Sequence, residues 1–443
     1  MAQQGEPAVV DLKNWQSLKS TLPVGWEEIA KKLGLGPSDS GPHNASQVRA
    51  ETRVHTLLTM VAWNLSLRMT SGLFASAGIH SVSHVGIHGW LKSSVAPFEA
   101  FLRLMVGAGG VFAPERWAGY RVRAIDATTA QRPGATGTTA RIHLALRLSD
   151  MQVDEVKVTN CKTGETFRNF RTSRGALDVA DRGYANPPSI AAAVDQGGDV
   201  LVRWNFASLP LQMRGGGQQV DVHRATRKLT PGQRRELWVE ACRTNGPSIP
   251  GRLIIERLPN DQAEKARQRV RADDGGPLAL QMAPFVMLFT TVPAARLTAC
   301  QLLKLYRLRW QVELQFKRDK SVTGLDRLPN FRDDTIKAWL LAKLVLGQMA
   351  RRLLNLEPAQ DGTASDRSQP SSPLPVAMPW QAAVAGWVLV RIGLFAVRLE
   401  HVALLLRRLH DQLARLKTSG RKAGGQIGEF LAGLAPMTSA GRA

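Results

Sequence analysis

TACQLLKLYRLRWQVELQFKRDKSVTGLDRLPN, residues 298–330, reads as one helix from 298 to about 322 that carries a mixed stripe of charge and aromaticity. At about 100° per residue, Arg309, Trp310, Glu313, Lys317 and Lys320 all fall within about 60° of Tyr306 on the helical wheel. One face therefore presents a phenol, a guanidinium, a carboxylate, ammonium groups and an indole. A solvated face ordinarily shows Glu–Lys pairs without aromatics, and a core-facing stripe does not collect Arg, Glu and Lys together. A single carboxylate ringed by cations and aromatics suits a site that holds a metal ion and a phosphodiester at once.

Upstream of this segment, from Trp117 onward, the pattern is that of strands. YRVRAID (120–126), RIHLALRL (141–148), QVDEVKVT (152–159), ALDVAD (176–181) and DVLVRW (199–204) alternate or run apolar, with a short helix at 189–194. Three meandering strands, a crossover and further strands predict an α/β core with helices packed on a mixed sheet. Asp126 and Asp181 each follow an apolar strand and precede small or turn-forming residues. Singly, each reads as a turn or cap residue. Side chains at the ends of adjacent strands converge, however, and the helix bearing Glu313 can close the triangle. Three carboxylates can hold two Mg²⁺ ions about 4 Å apart.

Residues 206 to about 283 break the rhythm with Gly215-Gly216-Gly217, two short strand-like runs and a charged helical segment, and read as a β-rich insertion. Strand character returns at Phe285, and a helix is expected over 333–354. The expected organisation is an N-terminal helical region (1–112), a core domain (113–356), a Pro/Ser-rich linker (357–379) and a C-terminal helical region (380–443). Within 72–106, two short helices and a third form a unit able to place a helix in a DNA groove, or simply to cap the core. His80, His84 and His88 share a spacing of four that can hold a metal, but glycines interrupt the helix and no carboxylate or thiol completes a site.

Among the 443 residues, 58 Lys and Arg stand against 36 Asp and Glu, a net charge of +22. That field points to a polyanion, with nucleic acid first and an anionic membrane surface second. Hydrophobic residues at 44% exclude wholesale disorder. Cys161, Cys242 and Cys300 form no CxxC pair, so neither a zinc knuckle nor a disulfide framework is expected. The first residues lack the basic-then-apolar order of a secretory signal. The most apolar stretch, 377–390, falls short of the roughly 20 residues of a membrane span and reads as a buried helix.

Tyr306-(2)-Arg309-(3)-Glu313-(6)-Lys320, with Asp126 and Asp181 upstream, resembles the Y-R-E-K signature of cut-and-paste DDE transposases from bacterial insertion sequences of the insertion-sequence-four type. The resemblance covers roughly residues 115–330. It implies a ribonuclease H-like core interrupted by a β-rich insertion where 206–283 lies. It also implies that Asp126, Asp181 and Glu313 bind two Mg²⁺ ions, with Mn²⁺ as a substitute. Arg309 and Tyr306 would then hold the phosphate at the cut, Lys320 a nearby terminal phosphate, and Lys317 would add to the DNA contacts. Trp310 would support a flipped base, with Phe285 as a second stacking ring. The first motif departs slightly, with Ala127 where many relatives carry Gly or Ser.

The implied partners are double-stranded DNA, as terminal inverted repeats and target, and a second copy of the chain, with 380–416 as candidate pairing helices. The implied compartment is the bacterial cytoplasm, at the nucleoid. Two rivals remain at this level: a nuclease or resolvase without strand transfer, and a non-catalytic DNA-binding descendant of a transposase. A membrane-surface role lacks the amphipathic basic helix it would need.

Overall fold

The computed structural model describes residues 15–37, 47–106, 118–243, 246–356 and 380–395. The expected linker at 357–379, and the expected helical region beyond 395, lie outside these residues. The N-terminal part is helical: α1 (Trp15–Leu18), α2 (Trp26–Ala30), α3 (Ala50–Ala62), α4 (Leu67–Ser76), α5 (His84–Ser93) and α6 (Val95–Met105). α3 stops at Ala62. Asn64 takes a positive φ of 50°, and Ser66 then starts α4 by accepting a hydrogen bond from the Met69 N–H. Ser83 caps α5 in the same way through Gly86.

The centre is a nine-stranded mixed sheet of order β3-β2-β1-β4-β5-β9-β8-β7-β6. β1 (Arg121–Ala130), β2 (Ala140–Arg147) and β3 (Val153–Asn160) form the antiparallel meander. β4 (Ala176–Ala180) runs parallel to β1, and a crossover through α7 (Pro187–Val194) brings β5 (Asp199–Arg203) parallel to β4. Asn186 caps α7 ahead of Pro187, whose fixed φ suits a first helical position. Every residue of β4 is buried, as expected for a strand covered on both faces. Val122, Ala124, Leu177 and Val179 face one core; Ile125 and Ala180 face the other.

The segment expected as an insertion holds β6 (Leu211–Met213), α8 (Val222–Thr226), β7 (Arg234–Ala241), β8 (Ile249–Arg257), α9 (Asn260–Ala272) and α10 (Pro277–Met282). Its strands do not form a sheet of their own. β9 (Phe285–Thr290) pairs with both β5 and β8, so the inserted strands extend the central sheet.

The single helix expected over 298–322 is two helices, α11 (Ala299–Arg307) and α12 (Trp310–Thr323). Around the junction, Leu308, Arg309, Gln311 and Val312 donate to carbonyls three residues back, which tightens one turn and divides the helix. Thr298 and Gln301 form a reciprocal capping box at the start of α11. At the far end of α12, Gly324 adopts φ 63°, and the buried Lys343 ammonium donates to the Gly324 and Arg327 carbonyls. Lys343 belongs to α13 (Asp333–Leu356), so the C-terminal end of α12 is tied to that helix.

The N-terminal helices do not stand apart from the core. α13 packs against α6, α3 and α5, and Leu57, Phe98, Trp339 and Val345 share one hydrophobic cluster. α14 (Trp380–Phe395) lies on α13, α1 and α3; the Leu394 carbonyl bonds His55 at 2.8 Å and Arg391 covers Trp63 at 3.9 Å. Among the described residues, no helix is long and apolar enough to cross a membrane.

Candidate active site

The sheet register builds the site. The parallel pairing of β1 with β4 ends at Ala124 opposite Val179, and that of β4 with β5 at Ala180 opposite Val202. Continuing those ladders brings Asp126, Asp181 and Arg203 to one level across three neighbouring strands. Side-chain alternation turns all three to the face covered by α11 and α12. Asp126 is not a strand end, as expected from sequence. β1 runs on to Ala130 because β2 keeps pairing with it, Asp126 lying opposite Leu144. Asp181 does leave its strand, and its Oδ1 accepts the Gly183 N–H at 2.8 Å, so it also serves as a cap.

Asp126 is crowded. Burial pushes its carboxyl up to about 7; the Ala127 N–H and Arg309 pull it down, while the charges of Asp181 and Glu165 push it further up. Arg309 is the cation that answers this crowding. Its Nη1 lies 4.0 Å from Asp126 Oδ2, and its Nη2 donates to Glu313 Oε1 at 2.5 Å. Its guanidinium carbon is 5.8 Å from the centre of the Tyr306 ring, and its Nε is buried without a partner among the described residues. Burial raises the Tyr306 phenol, against the pull of Arg309 and Arg203. Arg203 is held below its usual range by burial first, and then by Arg182 and Arg309 nearby.

The expected triad is thus assembled in part. Asp126 and Asp181 stand level, whereas Glu313 reaches Asp126 through Arg309. As they stand, no three Asp, Glu, His or Cys side chains among the described residues are placed to grip one ion. The donor set nonetheless fits a hard divalent cation: carboxylate oxygens only, with the Asp126 carboxyl held up by burial and by the acids beside it.

Trp310 is 45% exposed at the start of α12, and the Lys317 ammonium sits 4.3 Å above its ring. Lys320 is half-buried on the same helix. Phe285 does not join them. Alternation along β9 turns it, with Met287 and Phe289, into the second core, so it offers no free ring. The histidines also separate: His80 stacks on Phe74 and bonds Thr56, His84 is exposed, and His88 lies near Phe331. Glu165, Tyr184 and Arg203 were not anticipated. Arg203 ends the apolar run DVLV as Asp126 and Asp181 end theirs, so the same signal was present. Glu165 lies in a loop with no periodicity to mark it.

Residues 117–346 match the family described as "Transposase DDE domain", more than half of the chain. The chain belongs to this family. Among its relatives are the putative transposase InsL of insertion sequence element IS186A from Escherichia coli (strain K12) and the transposase of insertion sequence element IS421 from Escherichia coli. Each is 29% identical over 238 residues, which cover 51% of this chain and 64% of the relative. The aligned part thus spans under two thirds of those relatives' length.

Proposed function

We propose that this chain is the transposase of a bacterial insertion sequence, working at the nucleoid on double-stranded DNA through a ribonuclease H-like core. The observation that carries the reading is the level row of Asp126, Asp181 and Arg203 facing Tyr306, Arg309 and Glu313 across α11 and α12. The antiparallel meander β1–β3 followed by parallel β4 and β5 supports the core assignment. Asp126, Asp181 and Glu313 would hold the divalent ions, Mg²⁺ or Mn²⁺. When bound, these supply Lewis-acid activation of a water or 3′-hydroxyl and stabilise the leaving oxygen.

The protein's own part is positioning. Arg309, Arg203 and Tyr306 hold the phosphate at the cut. A phosphate that draws Arg309 away from Glu313 frees that carboxylate for the cation, so DNA completes the site. Lys320 takes a terminal phosphate, and Lys317 adds to the backbone contacts. Trp310, exposed and flanked by Lys317, offers a face for a flipped base during a hairpin step. Strand nicking, hairpin formation, release of a blunt end and transfer into target DNA then follow as one series of displacements at phosphorus. Cutting two ends together calls for a homodimer. Val384, Val388 and Ile392, exposed at one-turn intervals on α14, support pairing through that helix.

The test is Mg²⁺-dependent cleavage of a duplex carrying the element's terminal repeat. Asp126→Asn, Asp181→Asn and Glu313→Gln should each reduce cutting by about a thousandfold or more, with DNA binding nearly intact. Persistent cutting by any of them removes that residue from the site. Cleavage without joining to target DNA would favour a nuclease or resolvase instead.

A further inference from the structure

Glu165 lies in the loop between β3 and β4, half-buried, and the described residues offer it neither a hydrogen bond nor an ion pair. Glu155, ten residues earlier, shows the ordinary alternative: it accepts the Arg171 N–H at 2.9 Å and lies 3.7 Å from Arg123. Glu165 instead turns toward Asp181. A Cβ placed on Gly183 would lie 2.2 Å from Glu165 Oε2 and 3.1 Å from Asp181 Oδ1, so both oxygens crowd the space that a larger residue would fill. Burial first, and then the charge of Asp181, raise the Glu165 carboxyl, while Arg141 pulls it down without an ion pair among the described residues, so a carboxylate held there beside another is unfavourable unless a further cation joins them.

Tyr184 supplies a second, independent observation. Its side chain is fully buried, tilted against Phe167 at 5.2 Å, and its hydroxyl has no hydrogen-bond partner among the described residues. Buried hydroxyls are rarely left so. Tyr184 directly follows Gly183, the residue that the Glu165 and Asp181 oxygens flank; burial first, then the charges of Asp126, Glu165 and Asp181, raise its phenol, against the pull of Arg141.

We propose that Glu165 is a positioning residue of the divalent-cation site, its carboxylate accepting hydrogen bonds from the cation's water shell beside Asp181, with the Tyr184 hydroxyl as the neighbouring donor. This rests on Asp126 and Asp181 being cation ligands. It explains why three acids gather where no three of them can grip an ion directly: one of them works through water. It also explains Gly183, since any side chain there would displace the carboxylate.

The experiment is Mn²⁺ binding to the full chain without DNA, followed by electron paramagnetic resonance. Glu165→Gln should weaken binding about tenfold, Tyr184→Phe by a smaller factor, and Glu165→Asp should restore part of the loss. Gly183→Ala keeps both groups but pushes Glu165 aside, and should resemble Glu165→Gln. Glu155→Gln should bind as the wild type. If Glu165→Gln and Gly183→Ala bind Mn²⁺ like the wild type while Asp126→Asn does not, Glu165 has no part in the site. If Asp126→Asn also binds normally, the assignment of the aspartates themselves fails.

Discussion

β1 and β4 carry two arginine–carboxylate clusters three residues apart, on opposite faces of the same sheet, and the two are balanced very differently. In the first, Arg123 is 1% exposed and grips Asp178 with both ends of its fork, at 2.8 and 2.9 Å. Its remaining amino group bonds Asp154 at 3.0 Å, and Thr172 donates to Asp178 at 3.0 Å. In the second, Asp126, Asp181 and Glu165 crowd together with Arg309, whose better contact is given to Glu313. The first cluster needs nothing more and holds strands together. The second does not close: burial raises the Asp126 carboxyl, and Arg309 comes no nearer to it than 4.0 Å. Arginine–carboxylate clusters built on level rows of the same two strands thus separate by whether their hydrogen bonds and charges close among themselves.

The strongest test of that contrast is stability. Asp178→Ala strands a buried guanidinium and should cost about 3–5 kcal/mol in urea denaturation. Asp126→Asn should leave the midpoint unchanged or raise it, because it relieves like-charge crowding. A loss in Asp126→Asn as large as that in Asp178→Ala would erase the distinction.

Arg309 offers the next test. Because it ties up Glu313, Arg309→Gln should tighten Mn²⁺ binding in the absence of DNA by about tenfold and abolish any further gain on adding duplex. Arg203→Gln, a control cation whose fork contacts no acid at such short range, should change it less. Equal effects of the two substitutions would mean general repulsion and no specific hold on Glu313.

Acid probes the structural half. Burial lowers His55, His80 and His143 to about 4 from 6.5. Above 6.5 they are neutral in both states and weigh nothing. Between 6.5 and about 4 the unfolded chain takes up their protons first, so stability should fall through that window. Asp126, raised in the fold, works in the opposite sense. His55→Phe, which keeps a ring against Trp15, should therefore make the acid loss shallower; an equally steep profile would show that residue 55 is not buried as a neutral base.

The smallest expected effect belongs to Lys320, which makes no ion pair among the described residues. Lys320→Ala should lower the salt dependence of DNA binding by about one. An unchanged slope, measured by fluorescence anisotropy across salt concentrations, would remove it from the phosphate contacts.

The sequence by itself determined the strands of the meander, the crossover to β5 and the helical spacing of Trp310, Glu313, Lys317 and Lys320, because alternation and helical spacing are local properties. It also pointed to Asp126 and Asp181 through the apolar runs before them. Only tertiary structure decided that the helix divides at Leu308, that Phe285 is core, that the inserted strands extend the sheet, and that Arg309 stands between two of the acids. Apart from the division of the helix, these depend on segments that meet only in the fold: β2 carries β1 past Asp126, β5 and β8 enclose β9, and a loop brings Glu165 to Gly183. Register across strands and the electrostatic balance of a cluster arise only when those segments meet, and no periodicity within one segment encodes them.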